Sequence, residues 1–266
     1  MQTRQPFAKR SLGQNFLIDG SVITKIVDAL NPQENDIVVE IGPGRGALTE
    51  KLVERKVRIY AFELDIEFAR SLTERFSDAP LVNIFEADAL QIDFTKIAEG
   101  RKLKLVANLP YNVSTAILQR LFAASDVFEQ CVLMFQREVV DRISATPGSK
   151  ERGFLSVLAQ AYFDVEKLFD VPPTAFRPEP NVWSSVARLV PRSARPFDPL
   201  ALEAIVSASF AQKRKTIQNN LKNVLPEAGE VLAESGIDPK RRAETLTLDE
   251  WFRLSAAAKG KLGARR

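Results

Sequence analysis

Apolar and polar positions alternate along the front part of the chain in segments that have the lengths of strands and helices. Short apolar runs predict strands at residues 37–41, 58–62, 81–85, 103–107 and 131–135. Apolar residues at helical spacing predict helices at residues 47–54, 66–76, 115–123 and 138–144. Because strands that alternate with helices form a mostly parallel sheet, we expect a doubly wound α/β fold with its ligands at the carboxyl ends of the strands.

The chain changes character after Pro191. Three prolines, Pro191, Pro196 and Pro199, lie close together there. Beyond them, apolar spacing predicts helices at residues 200–210, 217–225 and 248–262. We therefore predict a catalytic α/β domain over residues 1–191, beginning with a basic arm at residues 1–17, and a smaller helical domain over residues 192–266.

Composition restricts the chemistry. The chain has 266 residues, of which 45% are hydrophobic, no histidine and one cysteine, Cys131. The absence of histidine excludes imidazole bases and ligands, and we predict no metal site. Cys131 lies in an apolar run, so we expect a buried, unreactive thiol, which also disfavours methylation of a pyrimidine carbon. No apolar run approaches the ~20 residues of a membrane span and no leader precedes the fold, so we expect a cytoplasmic protein.

A glycine-rich segment, Glu40-Ile41-Gly42-Pro43-Gly44-Arg45-Gly46, follows the first predicted strand and opens the first predicted helix. Glycines there allow a tight turn and a close approach of the backbone to a ligand. Gly42, Gly44 and Ala47 also satisfy the looser dinucleotide pattern, which leaves a nicotinamide enzyme open. S-adenosylmethionine fits better, because Arg45 is the only basic residue near the loop that could neutralise a pyrophosphate.

Acidic residues follow the next two predicted strands. Glu63 lies 21 residues beyond Gly42, near the ~20-residue distance at which a carboxylate accepts hydrogen bonds from ribose hydroxyls. Asp88 follows the third strand and is placed to accept an adenine amino proton. The alternative for each carboxylate is a solvated or helix-capping role. Together with the glycine loop, the two residues predict an adenosine pocket.

The segment Asn108-Leu109-Pro110-Tyr111 follows the strand at residues 103–107 and suits chemistry on a flat amino group. The adenine amine is a poor nucleophile, because its lone pair is delocalised into the ring. The Asn108 side-chain oxygen and the Leu109 carbonyl are placed to accept its two N–H groups and favour a more tetrahedral nitrogen. Tyr111 offers a ring face for stacking. An ordinary turn at the end of a strand is the alternative.

These motifs resemble those of the KsgA-type ribosomal RNA adenine dimethyltransferases. The resemblance runs from Lys9 to about Leu221, and two further motifs within this range, at residues 9–17 and 172–176, contribute to it. It implies a Rossmann-like, S-adenosylmethionine-dependent enzyme that dimethylates N6 of two adjacent adenines near the 3′ end of small-subunit rRNA. By position, it implies that the cofactor and substrate are bound by Asn15, Leu17, Gly42, Gly44, Glu63, Asp88 and Asn108.

Methyl transfer of this kind needs no general base. The sulfonium methyl group is already activated, so the enzyme supplies alignment and hydrogen-bond acceptors. The adenine must leave its stack to reach the pocket. We predict that Tyr111 and Phe176 clamp its two faces. The alternative for Phe176 is a core aromatic beside a stiff proline-rich loop.

Positive charge is concentrated behind Pro191. Residues 192–266 contain 14 Lys or Arg against 9 Asp or Glu, whereas residues 1–191 contain 23 against 25. We predict rRNA binding by Lys213, Arg214 and Lys215, with Arg10 in the amino-terminal arm. A second basic cluster lies at residues 240–242. Solvated helix faces are the alternative for both clusters. The expected partner is small-subunit rRNA in a pre-30S particle, and we expect a monomer.

Three other functions compete. A large-subunit rRNA adenine methyltransferase of the macrolide-resistance type shares the cofactor loop and the Asn-hydrophobe-Pro-aromatic motif. Tyr111 and the helical tail favour the small-subunit enzyme, since the resistance relatives often carry Phe at that position. A ribosome-assembly factor that acts mainly by binding is the second. A nicotinamide oxidoreductase is the third, and the chain lacks candidate residues for a hydride site.

Overall fold

The computed structural model describes residues 14–111 and 113–262, and they form two compact units. The first comprises the described residues up to Val140 together with Asp164–Pro191. The second comprises Asp141–Phe163 and the described residues from Arg192 onward. The chain passes from one unit to the other after Pro191, where a boundary was predicted. Asp141–Phe163, however, was predicted in the first domain and lies in the second unit, because its helix packs against helices of that unit.

The first unit is built on a seven-stranded sheet in the order β4-β3-β2-β5-β6-β9-β7, and a two-stranded sheet pairs β1 with β8. The strands are β1 Phe16–Leu17, β2 Ile37–Ile41, β3 Arg58–Glu63, β4 Val82–Glu86, β5 Leu103–Asn108, β6 Phe128–Gln136, β7 Phe163–Val171, β8 Phe176–Arg177 and β9 Ser184–Pro191. Neighbours from β4 to β6 are parallel, and β9 runs antiparallel to β6. The parallel pairings bring the carboxyl ends of five strands to one edge, which we call the carboxyl edge. They confirm the predicted doubly wound α/β architecture.

Helices connect these strands. Those that begin in the first unit are α1 Gly20–Leu30, α2 Ala47–Val53, α3 Ile66–Arg75, α4 Phe94–Ala98, α5 Ser114–Ala123 and α6 Arg137–Ile143. Asp19 begins α1, since its carboxylate accepts the N–H groups of Ser21 and Val22. Asn31 ends α1 in the left-handed conformation, at φ 44°. Asp65 begins α3 in the same way, by accepting the N–H of Glu67.

The core of the first unit lies around the central strands. All five residues of β2 are buried, as expected for a strand that is covered on both faces. The edge strand β4 is only partly buried, and Phe85 on it remains exposed. Residues of α1, β1 and β8 complete the apolar cluster. The core therefore holds the central strands in place and leaves the carboxyl edge available for a ligand.

The second unit is helical. Its helices are α7 Phe154–Tyr162, α8 Pro199–Ser209, α9 Ile217–Leu221, α10 Ala228–Glu234 and α11 Leu248–Ala258. Thr247 and Glu250 form a capping box at the start of α11, which buries Trp251. Helices α9 and α11 are shorter than the apolar spacing predicted. None of the helices in the described residues is long and apolar enough to cross a membrane.

Candidate active site

A cavity opens at the carboxyl edge of the first unit. Four segments line it: the residues around β1, the loop after β2, the end of β3 and the loop after β5. The lining residues are Gln14, Asn15, Phe16, Leu17, Glu40, Gly42, Pro43, Gly44, Arg45, Ala47, Leu48, Glu63, Leu64, Asn108, Leu109, Pro110, Tyr111 and Val113. The structure thus brings together most of the residues that the sequence predicts for cofactor and substrate.

The glycine loop needs its glycines for conformation and for space. Gly42 has φ +66°, and its N–H donates to the Phe62 carbonyl at 2.9 Å. Gly44 has φ +55°, and a Cβ there would lie 3.0 Å from the Phe16 ring. Arg45 stacks over the same Phe16 ring, with its guanidinium carbon 4.6 Å from the ring centroid. The loop is therefore packed tightly against β1 beside the cavity.

Glu63 lies beneath this loop at the end of β3. Its Oε2 accepts the N–H of Gly44 and its Oε1 accepts the N–H of Asp65, both at 2.9 Å. Burial raises the pKa of its carboxyl group, although both hydrogen bonds act in the opposite direction. A carboxylate has about four acceptor positions, so the two backbone contacts leave Glu63 able to accept further hydrogen bonds from a ligand in the cavity.

Glu40 is a second buried carboxyl group in the cavity wall, at a position for which no role was predicted. It is the fourth residue of β2, and its Oε2 accepts the Thr49 hydroxyl at 2.7 Å. Burial raises the pKa of Glu40 to about 7, and the charge of Glu63 acts in the same direction. The sequence signal for Glu40 is a single carboxylate within an apolar strand. All five positions of this strand are buried, and a buried carboxyl group usually has a specific hydrogen-bond partner or a function.

The Asn108 side chain is held in one orientation at the end of β5. Its Nδ2 donates to the Asn15 main-chain carbonyl at 3.1 Å. This bond uses the amide nitrogen and leaves Oδ1 as a hydrogen-bond acceptor for a ligand. Next to it, the Leu109 N–H donates to the Met134 carbonyl at 3.3 Å, which ties the loop to β6. The amide is therefore oriented for accepting a hydrogen bond before any substrate arrives.

Tyr111 lines the cavity beside Asn108. Its hydroxyl lies 2.8 Å from Oγ of Ser184, which is fully buried at the start of β9. The Ser114 hydroxyl donates to the Tyr111 carbonyl at 3.2 Å. Burial raises the pKa of the Tyr111 phenol, so the ring stays neutral at physiological pH. These contacts fix the ring at both its hydroxyl and its backbone, as a stacking surface requires.

Phe176 lies elsewhere. It is opposite Leu17 in the β1–β8 pair, is 1% exposed, and packs in the apolar core of the first unit. It is not among the residues that line the cavity. Its burial agrees with the alternative of a core aromatic, and stacking of Phe176 on the target base stays a prediction.

Asp88 is also separate from the cavity. Its Oδ1 accepts the Leu90 N–H at 2.9 Å, which makes it the cap of a short 3-10 helix. It lines a neighbouring groove with the aromatic residues Tyr60, Phe62 and Phe85. This placement agrees with the capping alternative, and the contact of Asp88 with an adenine amino group stays a prediction.

The basic clusters of the second unit differ from each other. Lys213, Arg214 and Lys215 are exposed in the turn between α8 and α9. Arg241, in contrast, forms an ion pair with Glu250 at 2.5 Å and donates to the Thr245 carbonyl at 2.7 Å. Arg241 therefore stabilises the start of α11, whereas the three cations of the turn are exposed to solvent.

Two remaining predictions have simple outcomes. Arg10 lies outside the described residues, as does most of the amino-terminal arm. Cys131 is fully buried on β6, and burial raises the pKa of its thiol, so it is unreactive as predicted.

A doubly wound α/β fold with a glycine loop after its first parallel strand, a buried carboxylate after the next and Asn-Leu-Pro-Tyr after β5 defines the class of S-adenosylmethionine-dependent methyltransferases. The family of ribosomal RNA adenine dimethylases matches residues 7–259, and the chain belongs to this family.

Two curated relatives support the assignment. Ribosomal RNA small subunit methyltransferase A of Methylococcus capsulatus is 44% identical over 249 residues, which cover 93% of this chain and 96% of the relative. The protein of the same name from Hahella chejuensis is 42% identical and covers 93% of this chain and 92% of its own length. Both alignments extend over the two units.

Solved structures agree with the fold. A dimethyladenosine transferase from Plasmodium falciparum superposes with a TM-score of 0.82 at 23% identity and covers 92% of this chain and 98% of its own. The 23S rRNA methyltransferase ErmE superposes with a TM-score of 0.72 at 25% identity and covers 92% and 100%. The fold described above is therefore shared by a dimethyladenosine transferase and a 23S rRNA methyltransferase.

Proposed function

We propose that the protein dimethylates N6 of two adjacent adenines in the 3′-terminal hairpin loop of small-subunit rRNA, and that it acts during biogenesis of the 30S subunit. The orientation of Asn108 carries the proposal. Its amide nitrogen is bonded to the Asn15 carbonyl, so its oxygen is the atom presented to a substrate. An adenine amino group is a donor that matches this acceptor. The names of the curated relatives supply the small-subunit target.

The chemistry follows from alignment. An amine whose two N–H groups donate to the Asn108 oxygen and the Leu109 carbonyl is held with its lone pair directed at the methyl donor. Tyr111, fixed by Ser184, supports one face of the flipped base. The proton leaves to water after transfer. No titratable base is required, which agrees with a chain that has no histidine.

The cavity suits S-adenosylmethionine. Gly44 keeps open a space beside Phe16 that any side chain would fill. Glu63 has acceptor positions for ribose hydroxyls, and Glu40 and Glu63 place two carboxyl groups in the wall for a ligand that carries positive charge. When bound, S-adenosylmethionine supplies the activated methyl group. Asn15, Leu17 and Gly42 complete the side of the cavity where we propose that it lies.

Substrate binding is assigned to the second unit. Lys213, Arg214 and Lys215 project from one turn and provide three cations for phosphates. The proposed partner is rRNA in a pre-30S particle, the proposed location is the cytoplasm, and the proposed functional form is a monomer. In the amino-terminal arm, we propose that Arg10 adds a further phosphate contact.

A second candidate is dimethylation or monomethylation of large-subunit rRNA. The structural likeness to ErmE favours it. The residue after Pro110 is Tyr, whereas Phe is common in that type of enzyme, and the relatives at 42–44% identity carry the small-subunit name. A binding role in ribosome assembly is compatible with catalysis by the same protein.

The decisive experiment uses methyl-labelled S-adenosylmethionine. The protein is incubated separately with unmethylated small subunits and with protein-free large-subunit rRNA, and the labelled nucleoside is identified by mass. We expect N6,N6-dimethyladenosine from the small subunit only. Label in the large-subunit rRNA would assign the second candidate, and binding of small subunits without label would leave an assembly factor.

A further inference from the structure

An exposed tryptophan lies at the carboxyl edge, outside the cavity. Trp183 immediately precedes β9 and is 45% exposed, whereas the other tryptophan, Trp251, is fully buried. A single exposed apolar residue is common on protein surfaces. What distinguishes Trp183 is its position relative to Tyr111 and the cation beside it.

Strand register places the backbone of Trp183 beside the residues that hold Tyr111. Ser184 is opposite Gln136 at the end of β6, and Met134 of the same strand is opposite Asn108. Ser184 in turn holds the Tyr111 hydroxyl at 2.8 Å. Because consecutive Cα atoms are ~3.8 Å apart, Trp183 is a direct neighbour of the residue that anchors the stacking ring.

Arg137 fixes the tryptophan. Its N–H donates to the Trp183 carbonyl at 2.9 Å, and its guanidinium carbon lies 5.8 Å from the centroid of the indole ring. Within the described part of the chain, the charge of Arg137 acts on the Asp170 carboxylate. The nearby Asp170 has its own cation, since Lys167 pairs with it at 2.9 Å. Arg137 therefore combines support of the ring with an available positive charge.

We propose that Trp183 stacks on an unpaired rRNA base that flanks the target adenine, and that Arg137 binds a phosphate of the same nucleotide. The proposal rests on the proposed function. Extruding an adenine exposes the face of its neighbour, and a second aromatic surface replaces the stacking that is lost. An aromatic ring paired with a basic side chain is the combination that holds single-stranded nucleic acid. The platform selects a substrate whose flanking base is free to stack.

Kinetics on unmethylated small subunits test the platform. Losing one base-stacking ring costs about ten-fold in affinity, so Trp183→Ala should raise KM for the subunits about ten-fold. At saturating subunits kcat should stay within about two-fold, and the affinity for S-adenosylmethionine should not change. Trp183→Phe keeps an aromatic face and should restore most of the lost affinity. An unchanged KM in Trp183→Ala would overturn the proposal.

Leu81→Ala is the matched control. Leu81 is similarly exposed, at 41%, and it precedes β4 at the opposite edge of the sheet. It should leave KM and kcat unchanged. If Leu81→Ala raised KM as much as Trp183→Ala, loss of any exposed apolar surface would explain the effect and the platform would be rejected.

Fluorescence separates the platform from the proposed reaction. A short single-stranded oligoadenylate should quench the emission of the protein, and Trp183→Phe should abolish the quenching, because the remaining Trp251 is buried. Absence of quenching in the unchanged protein at saturating oligoadenylate would overturn the platform. Failure of the unchanged protein to methylate small subunits would overturn the proposed function instead, without affecting the quenching result.

Arg137→Gln tests the phosphate contact. Removing one phosphate contact reduces the slope of log affinity against log salt by about 0.7 on single-stranded nucleic acid. We expect that change in the binding of small subunits. An unchanged slope would show that Arg137 supports the ring without touching phosphate.

Discussion

The cavity of the first unit and the basic turn of the second present their polar groups in opposite ways. In the cavity, Glu40, Glu63 and Asn108 are buried or half-buried, and each has a protein partner at 2.7 to 3.1 Å. In the turn, Lys213, Arg214 and Lys215 are all exposed. The cavity is organised before its ligand binds, whereas the side chains of the turn extend into solvent.

This difference separates specificity from affinity. A buried, oriented acceptor distinguishes one amino group from another, because a mismatched partner leaves it unpaired at a cost of about 1–3 kcal/mol. Exposed cations attract any phosphate and lose strength with salt. Changes in the cavity should therefore alter the rate of methyl transfer, while changes in the turn should alter binding and its dependence on salt.

Asn108→Ala should give the largest effect. Removal of an oriented hydrogen-bond partner in a preorganised site costs about a hundred-fold to a thousand-fold in kcat. We expect at least that loss of methyl transfer, with affinity for S-adenosylmethionine within several-fold by calorimetry. Asn108→Asp keeps an acceptor but loses the donor to Asn15 and should be intermediate. Unchanged turnover in Asn108→Ala would contradict the role of its oxygen.

Phe176→Ala should come next, and its effect should be on stability. Removing a buried phenyl ring costs about 3–5 kcal/mol in the free energy of unfolding, measurable by chemical denaturation. Phe176→Leu keeps most of the apolar volume and decides between the two roles. A stable Phe176→Leu that retains methyl transfer supports a purely structural role, whereas a stable but inactive one would support the stacking role.

Neutralising the turn should have a moderate effect. Lys213→Gln, Arg214→Gln and Lys215→Gln together should weaken binding of small subunits and reduce the slope against log salt by about two to three. The matched control neutralises three exposed cations of the first unit, Lys56, Arg58 and Lys96. If both triple variants changed the slope equally, general charge rather than the turn would account for binding.

Glu40→Gln should give the smallest effect, on pH dependence. The folded pKa of Glu40 is about 7, above the ordinary 4.5, so the folded state retains its proton where the unfolded state has released it. The contribution of Glu40 to stability is therefore present below pH 4.5 and is lost as the pH rises to about 7. Denaturation of the ligand-free protein between these pH values should show this decline, and Glu40→Gln should lack it. Equal profiles for the two proteins would contradict the raised pKa.

The central part of the fold could be predicted from the sequence because it depends on local patterns. Mostly apolar runs identify β2 and β5 to within one residue, since strands buried on both faces are largely apolar even though Glu40 and Lys104 interrupt them. The strands β7 and β9 were missed. They are partly exposed and extend the sheet beyond the parallel strands, and their mixed sequences give no continuous apolar run.

The site was predictable where the residues of a sequence motif line the cavity directly. Gly42, Gly44, Glu63, Asn108 and Tyr111 all line the cavity as expected. For Phe176 and Asp88 the sequence left two roles open, a ligand contact and a structural one, and local patterns could not decide between them. Phe176 is buried by pairing with Leu17, far away in sequence, and Asp88 is turned toward the N–H of Leu90.

The contact between Asn108 and Asn15 has a consequence for mutational mapping. The acceptor is a main-chain carbonyl, which every amino acid possesses. A scan that replaces the Asn15 side chain leaves that atom in place and would record the position as dispensable for this purpose. Chemical synthesis could reveal it, because an ester in place of the amide between Asn15 and Phe16 weakens the carbonyl as an acceptor while keeping every side chain. Side-chain mutagenesis therefore cannot detect the group that orients the Asn108 amide, whereas a change of the backbone can.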